Sequence, residues 1–176
     1  IVFLHIPKTA GSTILTIFKK QYEGKNISVL DGSDPEKSKS DLFDNKDTYC
    51  PELIFGHTDY GIHEQYGVQK FQYFAFVRHP IERIISHYLY VKRSPKHYLH
   101  DFLDMSQISL YDYVTSGVAS ELNNGQVRML IGAGGFHKNN YTKYEVPYGI
   151  SEDWMLEEAK KNIEKYFGFV GVQEEF

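Results

Sequence analysis

A single cysteine, Cys50, stands among the 176 residues, which excludes an intrachain disulfide and leaves no thiolate framework for zinc. This favours a reducing, cytoplasmic setting of bacterial type, with the Golgi lumen as the alternative for a chain whose anchor lies outside these residues. No run approaches the 18 or more consecutive apolar residues of a membrane span, and no basic-then-apolar leader opens the sequence. Excess positive charge is missing as well. Lys and Arg number 19 against 23 Asp and Glu, a net charge of -4, which argues against a nucleic-acid partner and requires any anion site to be local. Internal repeats are absent, and nothing in the pattern specifies an oligomer.

What is present suits a globular chain. Hydrophobic residues make up 41% and charged residues 24%, ordinary values for a packed core under a charged surface. The sequence opens inside an apolar run, so residues 1–176 are expected to form one domain, trimmed at both ends. Sequons at Asn26 and Asn140 carry little weight, since such triplets often arise by chance.

Ile1 to Ile6 is a short apolar run closed by Pro7, the pattern of a buried parallel strand. After Gly11, the residues Ile14, Leu15, Ile17 and Phe18 recur at helical spacing, with Lys19 and Lys20 at the end where cations suit the helix dipole. Asp31 to Tyr49 is polar and lacks an apolar period, as expected of a surface excursion. Further strands are predicted at Leu53 to Phe55, Phe71 to Val77 and Phe169 to Val172. Helices are predicted from Pro80, over Leu110 to Thr115, over Glu121 to Ile131, and over Glu152 to Phe167 with Ser151 as N-cap. Strands alternating with helices imply an α/β fold, a mostly parallel sheet flanked by helices, with ligands bound beyond the carboxyl ends of the strands.

Two of those strand ends carry chemistry. Pro7, Lys8, Thr9, Ala10, Gly11, Ser12 and Thr13 place one cation, small residues and hydroxyls between a strand and a helix start, where free backbone N–H groups favour an anion. The order differs from the nucleotide-triphosphatase pattern, because Lys8 precedes Gly11 and the first glycine is absent. The second strand delivers Arg78 to its end, and Ser86 follows on the next helix. Guanidinium suits a terminal phosphate because its planar fork donates two parallel hydrogen bonds, and a serine hydroxyl can add a third.

These two segments together resemble the 3'-phosphoadenosine 5'-phosphosulfate (PAPS)-dependent sulfotransferases, in particular the carbohydrate branch containing the heparan sulfate 2-O-sulfotransferases. The resemblance implies a P-loop-like sulfotransferase fold. It implies that Pro7 to Thr13 bind the 5'-phosphosulfate, and that the segment with Arg78, Pro80, Glu82, Arg83 and Ser86 binds the 3'-phosphate. It also implies that His57, following Gly56, acts as base; the branch's second histidine is replaced here by Phe55. Asn124, Gln126 and Arg128 fall in a segment resembling a helix near the cleft, where contact with ligand and satisfaction by neighbouring loops are both open. Phe167 to Phe176 resembles the last core strand.

By analogy with phosphoryl transfer, the expected reaction is an in-line sulfuryl transfer from PAPS to a hydroxyl-bearing acceptor, a carbohydrate by the resemblance. Lys8 would neutralise the leaving group, His57 would take the proton, and no metal is required. His5, beside the same loop, is the alternative base. An atypical nucleotide-dependent kinase would need magnesium ligands and the glycine-lysine-serine order. A noncatalytic nucleotide-binding module is the remaining alternative, against which Lys8 and His57 speak.

Overall fold

The computed structural model describes residues 1–30, 51–65, 70–134 and 142–176; of these, the side chains of residues 65 and 104–106 are not described. The expected polar excursion at 31–49, Cys50 and the sequon residue Asn140 lie outside the described residues.

Five strands, β1 (Val2–Leu4), β2 (Ile27–Leu30), β3 (Leu53–Gly56), β4 (Tyr73–Val77) and β5 (Phe167–Val172), form one sheet in the order β2-β3-β1-β4-β5. All pairings among them are parallel. The central strand β1 therefore has β3 on one side and β4 on the other, with Leu4 level with Gly56 and Ala75. That alignment brings three loops together at one end of the sheet.

Successive residues of β1 supply both faces of the sheet, as strand periodicity requires. Phe3 packs with Leu53, Phe55 and Ile14 of α1 (Gly11–Gln21), and its ring stacks on Phe55 at 4.9 Å. Val2 and Leu4 join Tyr73 and Ala75 on the other face, against Met129 and Ile131 of one helix and Met155 and Ala159 of another. Since both faces are covered, the strands read as continuous apolar runs.

The remaining described helices are α2 (Ile62–Gln65), α3 (Pro80–Arg93), α4 (His100–Ser106), α5 (Leu110–Thr115), α6 (Gly125–Ile131) and α7 (Asp153–Tyr166). Val91, Leu99, Leu103, Tyr113 and Leu122 form a second apolar cluster joining α3, α4 and α5.

Several boundaries differ from expectation. Tertiary pairing with β3 recruits Ile27–Leu30 as a strand that four residues after a polar turn do not advertise. The helix expected over Glu121 to Ile131 is broken: a 3-10 turn spans Ser120–Leu122, and Asn124, with φ of 52°, restarts the chain into α6. Glu152, not Ser151, is the N-cap residue of α7, in extended conformation and without a side-chain cap.

Candidate active site

The loop after β1 is held in an unusual shape. Lys8 and Ala10 both have positive φ, 70° and 65°, a region that costs a residue with a Cβ roughly 1–2 kcal/mol. Thr9 sits between them, fully buried, and its hydroxyl donates to the Ile6 carbonyl at 2.8 Å. That bond ties the loop back to the chain leaving β1. No side chain caps α1, and of its first-turn amides that of Thr13 bonds back to the Ala10 carbonyl at 3.1 Å, which leaves the Gly11 and Ser12 amides without a side-chain partner at the loop, an arrangement that suits an anion. Ser12 and Thr13 expose their hydroxyls at the same turn.

Gly11 is demanded by a neighbour. A Cβ there would collide with the His5 ring, including Nε2. His5 in turn stacks on His57 with ring centres 4.3 Å apart and planes 23° from parallel. The His5 carbonyl accepts a hydrogen bond from His57 Nδ1 at 2.8 Å. Because a carbonyl oxygen only accepts, the proton is on Nδ1, so in the neutral form of the ring the lone pair is on Nε2. Burial, with the charges of His57 and Lys8 adding to it, holds the His5 ring at a pKa of about 3, so it is neutral near pH 7. Gly56, the residue before His57, is itself fixed by the close approach of Leu30, which a Cβ would strike.

On the other side of β1, Arg78 follows the last residue of β4. Its backbone is clamped by Gln126: the Arg78 N–H donates to Gln126 Oε1 at 2.9 Å, and Gln126 Nε2 donates to the Arg78 carbonyl at 2.7 Å. Glu174 holds the next residue, accepting from the His79 N–H at 3.0 Å. The guanidinium is less well served. Nη1 reaches the Lys8 carbonyl at 3.4 Å, and Nε lies 3.7 Å from Glu174 Oε1 but, although buried, has no hydrogen-bond partner. A guanidinium left this short of acceptors fits an anionic ligand.

Lys8 Nζ lies 3.9 Å from the centre of the Tyr90 ring. Burial, followed by the positive charges of Arg93 and Arg78, lowers its pKa from the usual lysine value. Three cations thus gather locally on a chain of net charge -4. Ser86 is half-buried on α3, four residues before Tyr90, hence on the face that Lys8 meets. Among the described residues, nothing hydrogen-bonds its hydroxyl.

The structure therefore brings Lys8, His57 and Arg78 to the ends of three adjacent strands, with His5 linking the first two. Arg83 is elsewhere. It is buried, donates through Nη2 to the Glu121 carbonyl, and is held at about 10 by burial. Glu82 is exposed. Arg128 is also structural, donating to the Asn123 carbonyl and side chain and to the carbonyls of Val146, Pro147 and Ile150. Sequence reasoning missed Gln126 as the Arg78 clamp, a long-range contact with no local signal. It also missed Tyr90, whose i+4 spacing from Ser86 was a usable one.

Among the described residues, no group of three or more His, Cys, Asp or Glu side chains is placed to hold a metal ion, and no helix is long and apolar enough to cross a membrane. No curated protein matches the chain. Residues 1–129 match the model of the sulfotransferase family, and a match of that extent, over a parallel sheet with both loops at its carboxyl edge, makes this chain a member of that family.

Proposed function

We propose that the domain transfers a sulfuryl group from PAPS to an acceptor hydroxyl, with a carbohydrate as acceptor and His57 as base. The observation that carries this is the convergence of the uncapped α1 start, the under-satisfied Arg78 guanidinium and the His57 ring at three neighbouring strand ends. The residues fit the donor. When bound, PAPS supplies an activated sulfuryl group on a phosphate leaving group.

The chain's own residues would divide the work. Within the loop from Pro7 to Thr13, Thr9, Ala10, Gly11 and Ser12 present backbone amides and Ser12 and Thr13 present hydroxyls to the 5'-phosphosulfate, while Pro7, which has no N–H, fixes the exit from β1 and the buried Thr9 hydroxyl braces the loop on the Ile6 carbonyl. Arg78 and Ser86 bind the 3'-phosphate, which separates this ligand from ordinary adenosine nucleotides. Lys8 holds its positive charge beside the leaving oxygen, where it acts most strongly on charge that develops during transfer. His57 accepts the acceptor's hydroxyl proton at Nε2, while the bond from Nδ1 to the His5 carbonyl keeps that tautomer and the ring's orientation. His5, neutral and stacked, positions His57 and is a poor base in its own right, because its ring resists protonation. The carbohydrate acceptor is supported by the likeness of Gly56-His57 to the 2-O-sulfotransferase branch.

The test is transfer of radiolabelled sulfate from PAPS to a set of oligosaccharides. Wild-type protein is expected to label at least one glycan, and Lys8→Ala to lower turnover more than donor affinity. Labelling that survives unchanged in Lys8→Ala would contradict the assignment.

A further inference from the structure

Lys8 carries its charge in an unfavourable place. It is half-buried on the loop after β1, and the guanidinium groups of Arg78 at the end of β4 and Arg93 at the end of α3 both act against it. Among the described residues, no carboxylate pairs with its ammonium. The other titratable groups that feel its charge are imidazoles: His5 where the chain leaves β1, His87 on α3, and His97 between α3 and α4. Each has its pKa lowered, by burial first and with Lys8 among the further causes, so each is neutral near pH 7.

The ammonium has one partner of another kind. Its Nζ lies 3.9 Å from the centre of the Tyr90 ring, within the distance at which the negative face of an aromatic ring attracts a cation. Tyr90 stands one turn after Ser86 on α3, and His97 meets its ring edge to face at 5.6 Å, with planes 86° apart, which steadies its tilt. The ring is nevertheless 42% exposed, so core packing does not account for its place.

We propose that Tyr90 is a positioning residue for Lys8, its ring face holding the charged ammonium beside the loop that receives the donor. The use of that charge rests on the sulfuryl-transfer reading above; the contact itself does not. A carboxylate would hold the ammonium more strongly, but it would cancel the charge and repel an arriving phosphosulfate. A ring does neither. It supports the protonated amine against burial and the two arginines, and it leaves the charge uncancelled for an oxyanion. Because the attraction exists only for the protonated form, removing the ring lowers the pKa of Lys8.

Competitive labelling with acetic anhydride across pH, with the Lys8 peptide quantified by mass spectrometry, reads the protonation of that one amine without donor or acceptor. Tyr90→Leu is expected to move the Lys8 titration down by roughly 0.4 to 1.5 pH units, the span of a cation–π contact from exposed to desolvated. Tyr90→Phe keeps the ring face and loses only the hydroxyl, so it should titrate as wild type does. Arg93→Gln, which removes a like charge, should move Lys8 the other way. An unmoved or raised Lys8 titration in Tyr90→Leu would overturn the inference, and so would a fall in Tyr90→Phe as large as in Tyr90→Leu, which would assign the effect to the hydroxyl. Should Tyr90→Leu fold poorly, Tyr90→Met takes its place with the same two outcomes. Labelling repeated with saturating 3'-phosphoadenosine 5'-phosphate (PAP) separates this inference from the donor assignment. Bound PAP is expected to slow Lys8 labelling further; a rate that PAP leaves untouched would overturn the placement of Lys8 at the donor while its contact with Tyr90 stood.

Discussion

Arg78 and Arg128 are both drawn into the protein, yet they live differently. Arg128 gives five hydrogen bonds to the carbonyls and the side chain around it, tying α6 to the 146–150 segment. Arg78, whose backbone Gln126 clamps just as firmly, has one long hydrogen bond from its guanidinium and a buried Nε without a partner. A saturated guanidinium spends its donors on the fold. One held rigidly by its backbone and left short at its side chain is available to a ligand, at a cost in stability that the fold carries elsewhere. A related contrast separates the loops at the strand ends from a buried frame of Arg83 and His87 on α3 with Tyr113 and Glu121, whose polar groups bond mainly to one another, Arg83 Nε excepted. Substitutions at the strand ends should cost function, and those in the frame should cost stability first.

The largest effect expected is at His57. His57→Ala should slow the single-turnover transfer step by about 10² to 10⁴, while melting temperature and PAP affinity stay near wild type. A comparable loss of stability would move His57 into the frame and erase the contrast. Arg128→Ala should do the reverse, stranding buried carbonyls and costing on the order of 3 kcal/mol or more in urea unfolding. Near-normal stability of that variant would show that its hydrogen bonds are replaceable by water.

Acid should weaken both regions through one buried ring in each. His5 and His87 are both held at about 3 by burial, His87 even with Glu121 Oε1 3.5 Å from its Nε2, because burial and the Arg83 charge outweigh that carboxyl. Each ring stays neutral when folded and takes a proton when unfolded below about 6.5. Stability from each is therefore complete above that pH and is lost progressively as pH falls from 6.5 toward 3, by up to about 1.4 kcal/mol per pH unit per ring. Glu121, whose pKa burial raises, opposes this slope, so the cleanest readout is a difference. His5→Asn should flatten the dependence by about one proton, and an unaltered slope would mean that the His5 ring is protonated in the native state.

The smallest effect expected is at Gln126. Gln126→Leu removes two hydrogen bonds to the Arg78 backbone without touching its guanidinium, so PAP affinity should fall only severalfold, on the order of 1 kcal/mol. An effect as large as deleting the Arg78 side chain would mean that the clamp, rather than the guanidinium, governs the site.

Much of this arrangement is readable in the residues. Apolar runs ending at Pro7, at Gly56-His57 and at Arg78-His79-Pro80 mark three parallel strands and their loops, because strands covered on both faces must be apolar throughout and must end where polarity begins. The sheet order is not readable, since it depends on which runs pair across long separations. The distinction between Arg78 and Arg128 is likewise invisible: each is an arginine beside an apolar helix or strand, and only the carbonyls brought in from residues 146 to 150 saturate Arg128, whereas Arg83, which donates to the Glu121 carbonyl and keeps a buried Nε without a partner, lies between the two. Asn124 shows the limit of periodicity, its left-handed backbone breaking a run that reads as one helix from Glu121 to Ile131.

Reservation of Arg78 for a phosphate is the central expectation. Calorimetric titration of wild type and Arg78→Ala with PAP and with ADP, which lacks the 3'-phosphate, tests that most directly. Wild type should prefer PAP, and Arg78→Ala should lose about tenfold or more of its PAP affinity while ADP binding barely changes. An equal loss for both nucleotides, or no preference in the wild type, would contradict it.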